Sequence, residues 1–266
     1  MPKKSVVESY RWLAQYYDEI FSSSRDPLDV AREHILRRIL PDVESACDLA
    51  CGTGTTALTL ARTGIATYAV DVSPMMCKRV RQKTRRTGLP VRVLRQDMRS
   101  FRLPECVDLI TCEYDALNHL PRRADLRMAA KAVARALRPG GHFFFDVNNS
   151  LGFERYWSGN VWVEKPGVVL VMRNGHNRQA DRAWTDVEWF VRDGRCWRRH
   201  HERVEEVCWN SDEIHRIFRE TGFDQLRAWD GAPFFKSIAD LRRADRKTPL
   251  IAPGCRTFYL ARKSRC

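Results

Sequence analysis

From residue 45 to residue 147 the chain alternates short apolar runs with longer amphipathic stretches. The runs at 45–50, 66–71, 91–96, 107–112 and 142–147 have the length of buried strands. The stretches at 55–63, 74–87 and 122–138 repeat apolar positions at helical spacing. This alternation predicts a parallel, doubly wound sheet with helices on both faces. Ahead of it, 5–24 predicts a helix carrying Tyr10, Trp12, Tyr16, Tyr17 and Phe21, and a second helix is predicted from about 27 to 40. Beyond residue 152 the rhythm becomes antiparallel. Asn174-Gly175 and Asp193-Gly194 mark hairpin turns between strands at 168–173, 184–191 and 196–207. A helix over 212–221, capped by Ser211 and closed by Gly222, precedes two last strands at 223–229 and 257–261.

Composition narrows the class. The 266 residues are 44% hydrophobic and 30% charged, which excludes a disordered tail. The apolar runs fall far short of the ~20 residues that span a bilayer. The start, MPKKSVVESYRW, has no continuous apolar segment of the kind a signal peptide needs, so a cytoplasmic protein is expected. Nine cysteines without a CxxC pair argue against a structural zinc site or an iron–sulfur cluster and for reduced, mostly buried thiols.

A glycine turn stands out at Asp48-Leu49-Ala50-Cys51-Gly52-Thr53-Gly54-Thr55, between a strand and a helix, where backbone can approach a ligand closely. Gly52, Gly54 and Ala57 also satisfy a dinucleotide GxGxxG/A pattern, which alone is weak. Three features separate the readings: Asp48 before the glycines, a second acidic strand end at Asp97, and Arg138-Pro139-Gly140-Gly141 leading into a Phe-rich strand. In the order DLACGTGT, AVDVSPMM, RQDMRSF, DLITCEYDALNHL and LRPGGHFFFDVNN, the chain resembles the class I S-adenosylmethionine-dependent methyltransferases, in their small-molecule branch.

The resemblance implies a Rossmann-like, doubly wound seven-stranded sheet in a single domain over 1–266. It would comprise an N-terminal helical cover (1–40), a cofactor-binding core (41–150), an antiparallel lid insertion (151–210) and the C-terminal part of the core (211–266). It implies S-adenosylmethionine as cofactor. Ala50, Gly52, Thr53 and Gly54 would pass its methionyl part, with Asp48 near the ammonium group. Asp71 would hold the ribose diol, and Val72 and Met76 would pack on the adenine. Asp97 would accept from the adenine amine, with the Met98 backbone at the ring edge and Glu113 beneath the cofactor. Tyr10, Ala14, Tyr17 and Asp18 resemble a YxxxAxxYD signature whose second tyrosine, here Tyr17, folds over the methionine end. His119 is the candidate general base or acceptor-orienting residue, with Tyr114 beside it.

Methyl transfer is an in-line displacement, so the protein aligns the nucleophile, excludes water and removes a proton where needed. Asp115, Asp146 and Asn149 are the types and positions that hold Mg²⁺ in catechol-type O-methyltransferases, but the same FDxN pattern occurs in metal-free relatives, and no metal is expected. A +13 net charge admits an RNA acceptor bound by Arg-rich surfaces. Yet 37 of the 46 basic residues are Arg, a bias that GC-rich genomes also produce. Helix 74–87 holds six of the basic residues and no acid, and is expected to turn them to solvent, while the lid is nearly neutral. The favoured partner is therefore a small-molecule acceptor methylated at N or O, with RNA the alternative. No membrane partner is expected, and the protein would act as a monomer or homodimer.

Overall fold

The computed structural model describes residues 13–157, 159–234 and 254–265; the expectations for Tyr10 and Trp12 lie outside them. Strands β1 (Ser45–Leu49), β2 (Ala66–Asp71), β3 (Val91–Arg95), β4 (Val107–Cys112), β5 (Leu137–Asn148), β10 (Phe223–Asp230) and β11 (Arg256–Lys263) form one sheet, in the order β10-β11-β5-β4-β1-β2-β3. β1 to β5 are parallel, and β11 is antiparallel to both β5 and β10. The chain reverses its direction of winding between β1 and β4. In open sheets the ligand crevice lies at such a point, outside the carboxyl ends of the strands.

Period-two alternation sorts the core. Along β5, Phe143 and Phe145 face one side with α4 (Arg123–Ala136) and α6 (Ser211–Glu220), where Ala129, Val133, Ile217 and Phe218 meet them. Phe144 faces the other side, against Leu28, Ala31 and Leu36 of α1 (Leu13–Leu36). Burying each such Phe contributes about 1.5–3 kcal/mol. The two helices expected at 5–24 and 27–40 are one helix, α1, running through Pro27. Both halves are anchored: the second on the sheet, and the first, through Tyr16, Ile20 and Phe21, on Val168, Leu170 and Trp189 of the inserted sheet. Tertiary burial outweighs the missing N–H of one proline.

The insertion is a four-stranded antiparallel sheet, β6 (Asn160–Lys165), β7 (Val168–Asn177), β8 (Arg182–Asp193) and β9 (Cys196–Val207). It is preceded by the short helix α5 (Ser150–Tyr156). Neither β6 nor α5 is legible in the sequence pattern. Asp193-Gly194 does lead a hairpin, but Asn174-Gly175 does not: β7 continues to Asn177, and the turn follows at 178–181. Gly175 answers to packing instead, since a Cβ there would lie 2.4 Å from the Trp184 indole. The cap of α6 is Asn210, whose Oδ1 accepts from the Asp212 N–H at 2.8 Å, rather than Ser211.

Two basic residues of α3 (Pro74–Thr87), expected in solvent, instead hold α1 in place. Arg79 donates to the Ala14 and Gln15 carbonyls at 3.1 and 2.6 Å, and Lys83 Nζ lies 2.7 Å from Asp18 Oδ2. No helix among the described residues is long and apolar enough to cross a membrane. Cys47, Cys51, Cys77 and Cys112 are buried free thiols.

Candidate active site

A cavity of about 380 Å³ opens at the carboxyl ends of β1, β2, β3 and β4. Its wall includes Tyr17, Asp48, Ala50, Gly52, Asp71, Val72, Met76, Asp97, Met98, Glu113, Tyr114 and His119. The backbone after β1 is left-handed at Ala50 (φ 54°) and Gly52 (φ 53°). A Cβ on Gly52 would meet no protein atom within 4 Å, so its glycine serves the turn and the open cavity rather than packing. Thr53 and Gly54, expected on this wall, are not on it. Thr53 Oγ1 donates to Asp18 Oδ1 of α1 at 2.5 Å. Gly54, at φ 81°, begins α2 (Thr55–Arg62) where a Cβ would lie 2.8 Å from Val80 Cγ2 of α3. Gly54→Ala is therefore expected to destabilise the fold by about 1–3 kcal/mol. Denaturant unfolding measures this, and adding Val80→Ala should recover part of the loss.

The acids at the strand ends are held by the protein itself. Asp48 accepts from the Ala57 N–H at 3.0 Å and the Thr111 hydroxyl at 3.1 Å, joining β1 to α2 and β4. Asp71 accepts from the Gly52 N–H at 2.9 Å and the Ser73 N–H at 2.7 Å. Burial pushes its carboxyl up to about 6, against the lowering effect of those donors. Asp97 is clamped by Arg99, which also bonds Asp125, and the Arg99 hydrogen bonds hold the Asp97 carboxyl below its usual range. Glu113 is buried against Arg32 of α1 at 2.9 Å, with the Thr56 hydroxyl at 3.3 Å.

A second cavity, of about 220 Å³, lies between these strand ends and the inserted sheet. Tyr17, Tyr114 and His119 border both cavities, so the two meet there. The inner face of β8, with Thr185, Val187 and Trp189, and that of β9, with Glu202, Val204 and Glu206, form much of its wall. The more apolar face of β8 thus lines a cavity. The opposite face is where Arg173 and Arg199 pair with Glu188 and Arg203 lies over the Trp184 ring.

The floor of this cavity is strained and charged. Tyr114 (φ 65°) and Asp115 (φ 55°) are consecutive non-glycine residues in the left-handed region, each costing on the order of 1–2 kcal/mol. Asp146 holds them: its two carboxylate oxygens accept the Tyr114 and Asp115 N–H groups at 2.7 and 2.9 Å. Arg256, buried at the start of β11, bonds Asp146 with one nitrogen and Asp115 with another at 3.0 Å, and lies over the Tyr114 ring. Asn148 of β5 donates to Asp115 at 2.9 Å and Glu206 at 3.0 Å. Asn149 caps α5 through the Gly152 N–H. Asp115, Asp146 and Asn149 are thus committed to holding the protein, which does not suit a metal cage built from these three.

Sequence reading passed over Arg32, Arg99, Glu202, Glu206 and Arg256. Arg99 stands two residues from Asp97 and reaches Asp125 only through tertiary contact, and the others act from elements remote in sequence. One partial signal existed: Glu202, Val204 and Glu206 share a face of β9 by alternation, but alternation does not say which face turns inward.

The first cavity fits S-adenosylmethionine in its donor set: acids for hydroxyl and amine donors, Val72, Met76 and Met98 for an apolar ring, and an open glycine turn. Residues 46–141 match the family model described as "Methyltransferase domain". YqeM of Bacillus subtilis (strain 168), which carries a provisional methyltransferase name, is 27% identical over 82% of this chain and 87% of its own. The dTDP-3-amino-3,6-dideoxy-alpha-D-glucopyranose N,N-dimethyltransferase of Streptomyces fradiae is 24% identical over 79% of this chain and 83% of its own. The structure of an S-adenosylmethionine-dependent methyltransferase from Clostridium acetobutylicum ATCC 824 superposes with a TM-score of 0.75 at 25% identity, over 96% of this chain and 99% of that one. Sheet order, cavity and relatives agree: the chain belongs to the class I S-adenosylmethionine-dependent methyltransferases.

Proposed function

We propose that the protein methylates a nitrogen or oxygen of a small-molecule acceptor seated in the cavity beneath the inserted sheet. The observation that carries this reading is the meeting of the two cavities at Tyr17, Tyr114 and His119. An acceptor on one side of that junction and the activated methyl on the other stand in the order an in-line displacement needs. In the first cavity, Asp71 would take the ribose diol and Asp97 the adenine amine, with Val72, Met76 and Met98 around the ring. Ala50 and Gly52 would border the methionyl part, Asp48 would lie near its ammonium group, and Glu113 beneath it. When bound, the cofactor supplies a methyl carbon already activated by a sulfonium.

The chain's own residues then supply orientation and dryness. Tyr17 and Phe21 of α1 meet Tyr114 edge-on, at centroid distances of 6.1 and 6.3 Å, and screen the junction from water. Burial lowers the His119 pKa, so the imidazole is neutral near pH 7, and its Nδ1 lies 3.4 Å from the Glu205 carbonyl. A proton on Nδ1 shared with that carbonyl leaves Nε2 as the basic ring nitrogen, suited to orienting an acceptor N–H or O–H. His119→Ala is expected to lower kcat by about 10²–10⁴-fold while cofactor affinity changes little. Single-turnover kinetics and calorimetry separate the two, and unchanged turnover would remove His119 from the mechanism.

Relatives support a small acceptor, since the Streptomyces fradiae enzyme is named for a nucleotide-linked amino sugar. The basic helix α3 gives an RNA acceptor less support than its composition suggests, because Arg79 and Lys83 hold α1. The test is transfer from labelled cofactor to pools of amines, carboxylates, phenols and tRNA. Labelling confined to tRNA, with salt-sensitive RNA binding, would overturn the proposal.

A further inference from the structure

Arg99 lies in the wall of the first cavity beside Asp97 and Met98, and the methyl transfer proposed above makes no use of it. Its guanidinium takes the Asp97 carboxylate as a fork. Nε donates to the two oxygens at 3.0 and 3.1 Å, and Nη2 donates to Oδ2 at 2.5 Å. The Arg99 backbone N–H adds a bond to Oδ1 at 2.8 Å. Both oxygens are thus engaged from one side, which leaves the carboxylate little freedom to turn.

The guanidinium is pinned at its other end as well. Nη1 donates to Asp125 Oδ1 at 3.2 Å. Asp125 stands in the first turn of α4, is 1% exposed, and is not on the cavity wall. Arg122 meets it through two further bonds, at 2.8 and 3.2 Å. Burying a carboxylate is costly unless cations meet it, and Arg99 is one of the two that do. Charge therefore alternates through four side chains, Arg122, Asp125, Arg99 and Asp97, and ends on an acid at the cavity.

The Arg99 hydrogen bonds hold the Asp97 carboxyl below its usual range, against the effect of burial. Asp97 is ionised throughout the neutral range and offers the cavity acceptor lone pairs alone. The 6-amino group of adenine is a donor and suits such a group. A deaminated base, hypoxanthine, carries a carbonyl oxygen at that place, and two acceptors facing one another repel. Discrimination needs the carboxylate both charged and aimed. One free to rotate, or to take a proton, would accommodate the carbonyl too.

Resting on the placement of the adenine amine at Asp97 proposed above, we infer that Arg99 is a positioning residue that fixes Asp97 as a pure acceptor, and that Asp125 holds Arg99 in that place. Together they set the preference of the cofactor site for adenine over a deaminated base. Neither takes part in the bond exchange at sulfur.

The test is calorimetric binding of S-adenosylhomocysteine and of S-inosylhomocysteine, its deaminated counterpart, to the full chain. The wild type should prefer the adenine form by about 10²-fold, the order expected when a hydrogen bond to a charged group gives way to facing acceptors. Arg99→Met keeps the stem and deletes the donors, and should reduce that ratio to below about tenfold, chiefly by weakening the adenine form. Arg99→Lys keeps a cation between the two acids without the fork, so it should fold and give an intermediate ratio. Asp125→Asn, off the cavity wall, should lower the ratio a few-fold.

Denaturant midpoints report separately on how Arg99 ties this segment to α4. A loss of stability with the ratio intact in Arg99→Met, or a wild-type ratio in Arg99→Lys should Arg99→Met not fold, overturns the inference. An intact ratio in Asp125→Asn removes Asp125 from it. Asp97→Ala separates this inference from the placement it rests on. An unchanged ratio there, or no preference in the wild type, ends both. A ratio abolished in Asp97→Ala but kept in Arg99→Met ends the role of Arg99 alone.

Discussion

Replacing Asp71 by Ala should weaken S-adenosylmethionine binding by about 10²–10⁴-fold in calorimetry, on the order of two lost hydrogen bonds to a charged acceptor at ~1.5–3 kcal/mol each. The carboxylate sits at the end of β2, buried, with one oxygen on the Gly52 N–H and the other on the Ser73 N–H. It would therefore both receive the ribose diol and fix the glycine turn over which the methionyl part passes. A pH dependence accompanies it, and its sign follows from the raised pKa. Above about 6 Asp71 is ionised and accepts fully; as pH falls through that value it gains a proton that competes with the diol. Affinity should be flat from pH 7 upward and decline up to tenfold per unit below about 6. Equal affinity in Asp71→Ala, or a decline only near pH 4, would remove Asp71 from the ribose site.

Removing Arg256 should cost about 3–5 kcal/mol of stability, the range for leaving buried carboxylates without their cation. Arg256 is the guanidinium between Asp115 and Asp146, and Asp146 in turn holds the left-handed pair Tyr114-Asp115. Arg256→Met keeps side-chain volume and deletes the charge, so its unfolding midpoint in denaturant isolates the electrostatic loss. Adding Asp146→Asn should recover part of the stability if charge imbalance is the cause. Arg256→Lys should fall between, because one ammonium does not fork across two carboxylates as a guanidinium does. A loss below about 1 kcal/mol in Arg256→Met would show that the carboxylates relax into another arrangement.

The first cavity was legible because its signals are local. Asp48, Gly52, Asp71 and Asp97 each stand at a strand end, and strand ends are read from the alternation of apolar runs with helices. The left-handed turn at Gly52 is the kind of backbone that glycine permits. Where the reading failed, a local rule met a distant contact. Gly54 and Gly175 were read as turn or ligand residues, yet each leaves room for a side chain from another element, Val80 and Trp184. Pro27 was read as a boundary, but α1 is buried at both ends and continues through it.

The second cavity lies at the other extreme. Its wall is assembled from α1, the turn after β4, the end of β5, the inserted strands and the first residue of β11. Arg256 and Asp115 are separated by 141 positions and touch through a guanidinium. A charged residue at the start of a strand has no periodic signature that distinguishes a buried partner from an exposed one. By itself, the sequence determined the doubly wound sheet and the strand-end positions of the acids around the first cavity, which follow from periodicity and short spacing, while the cofactor followed from the resemblance of its motifs to a known family. Only the tertiary structure decided which face of the inserted sheet looks inward, that Glu206 lies on that face, and which cation holds the strained turn. Those depend on burial and charge pairing between segments that meet only when the chain has folded.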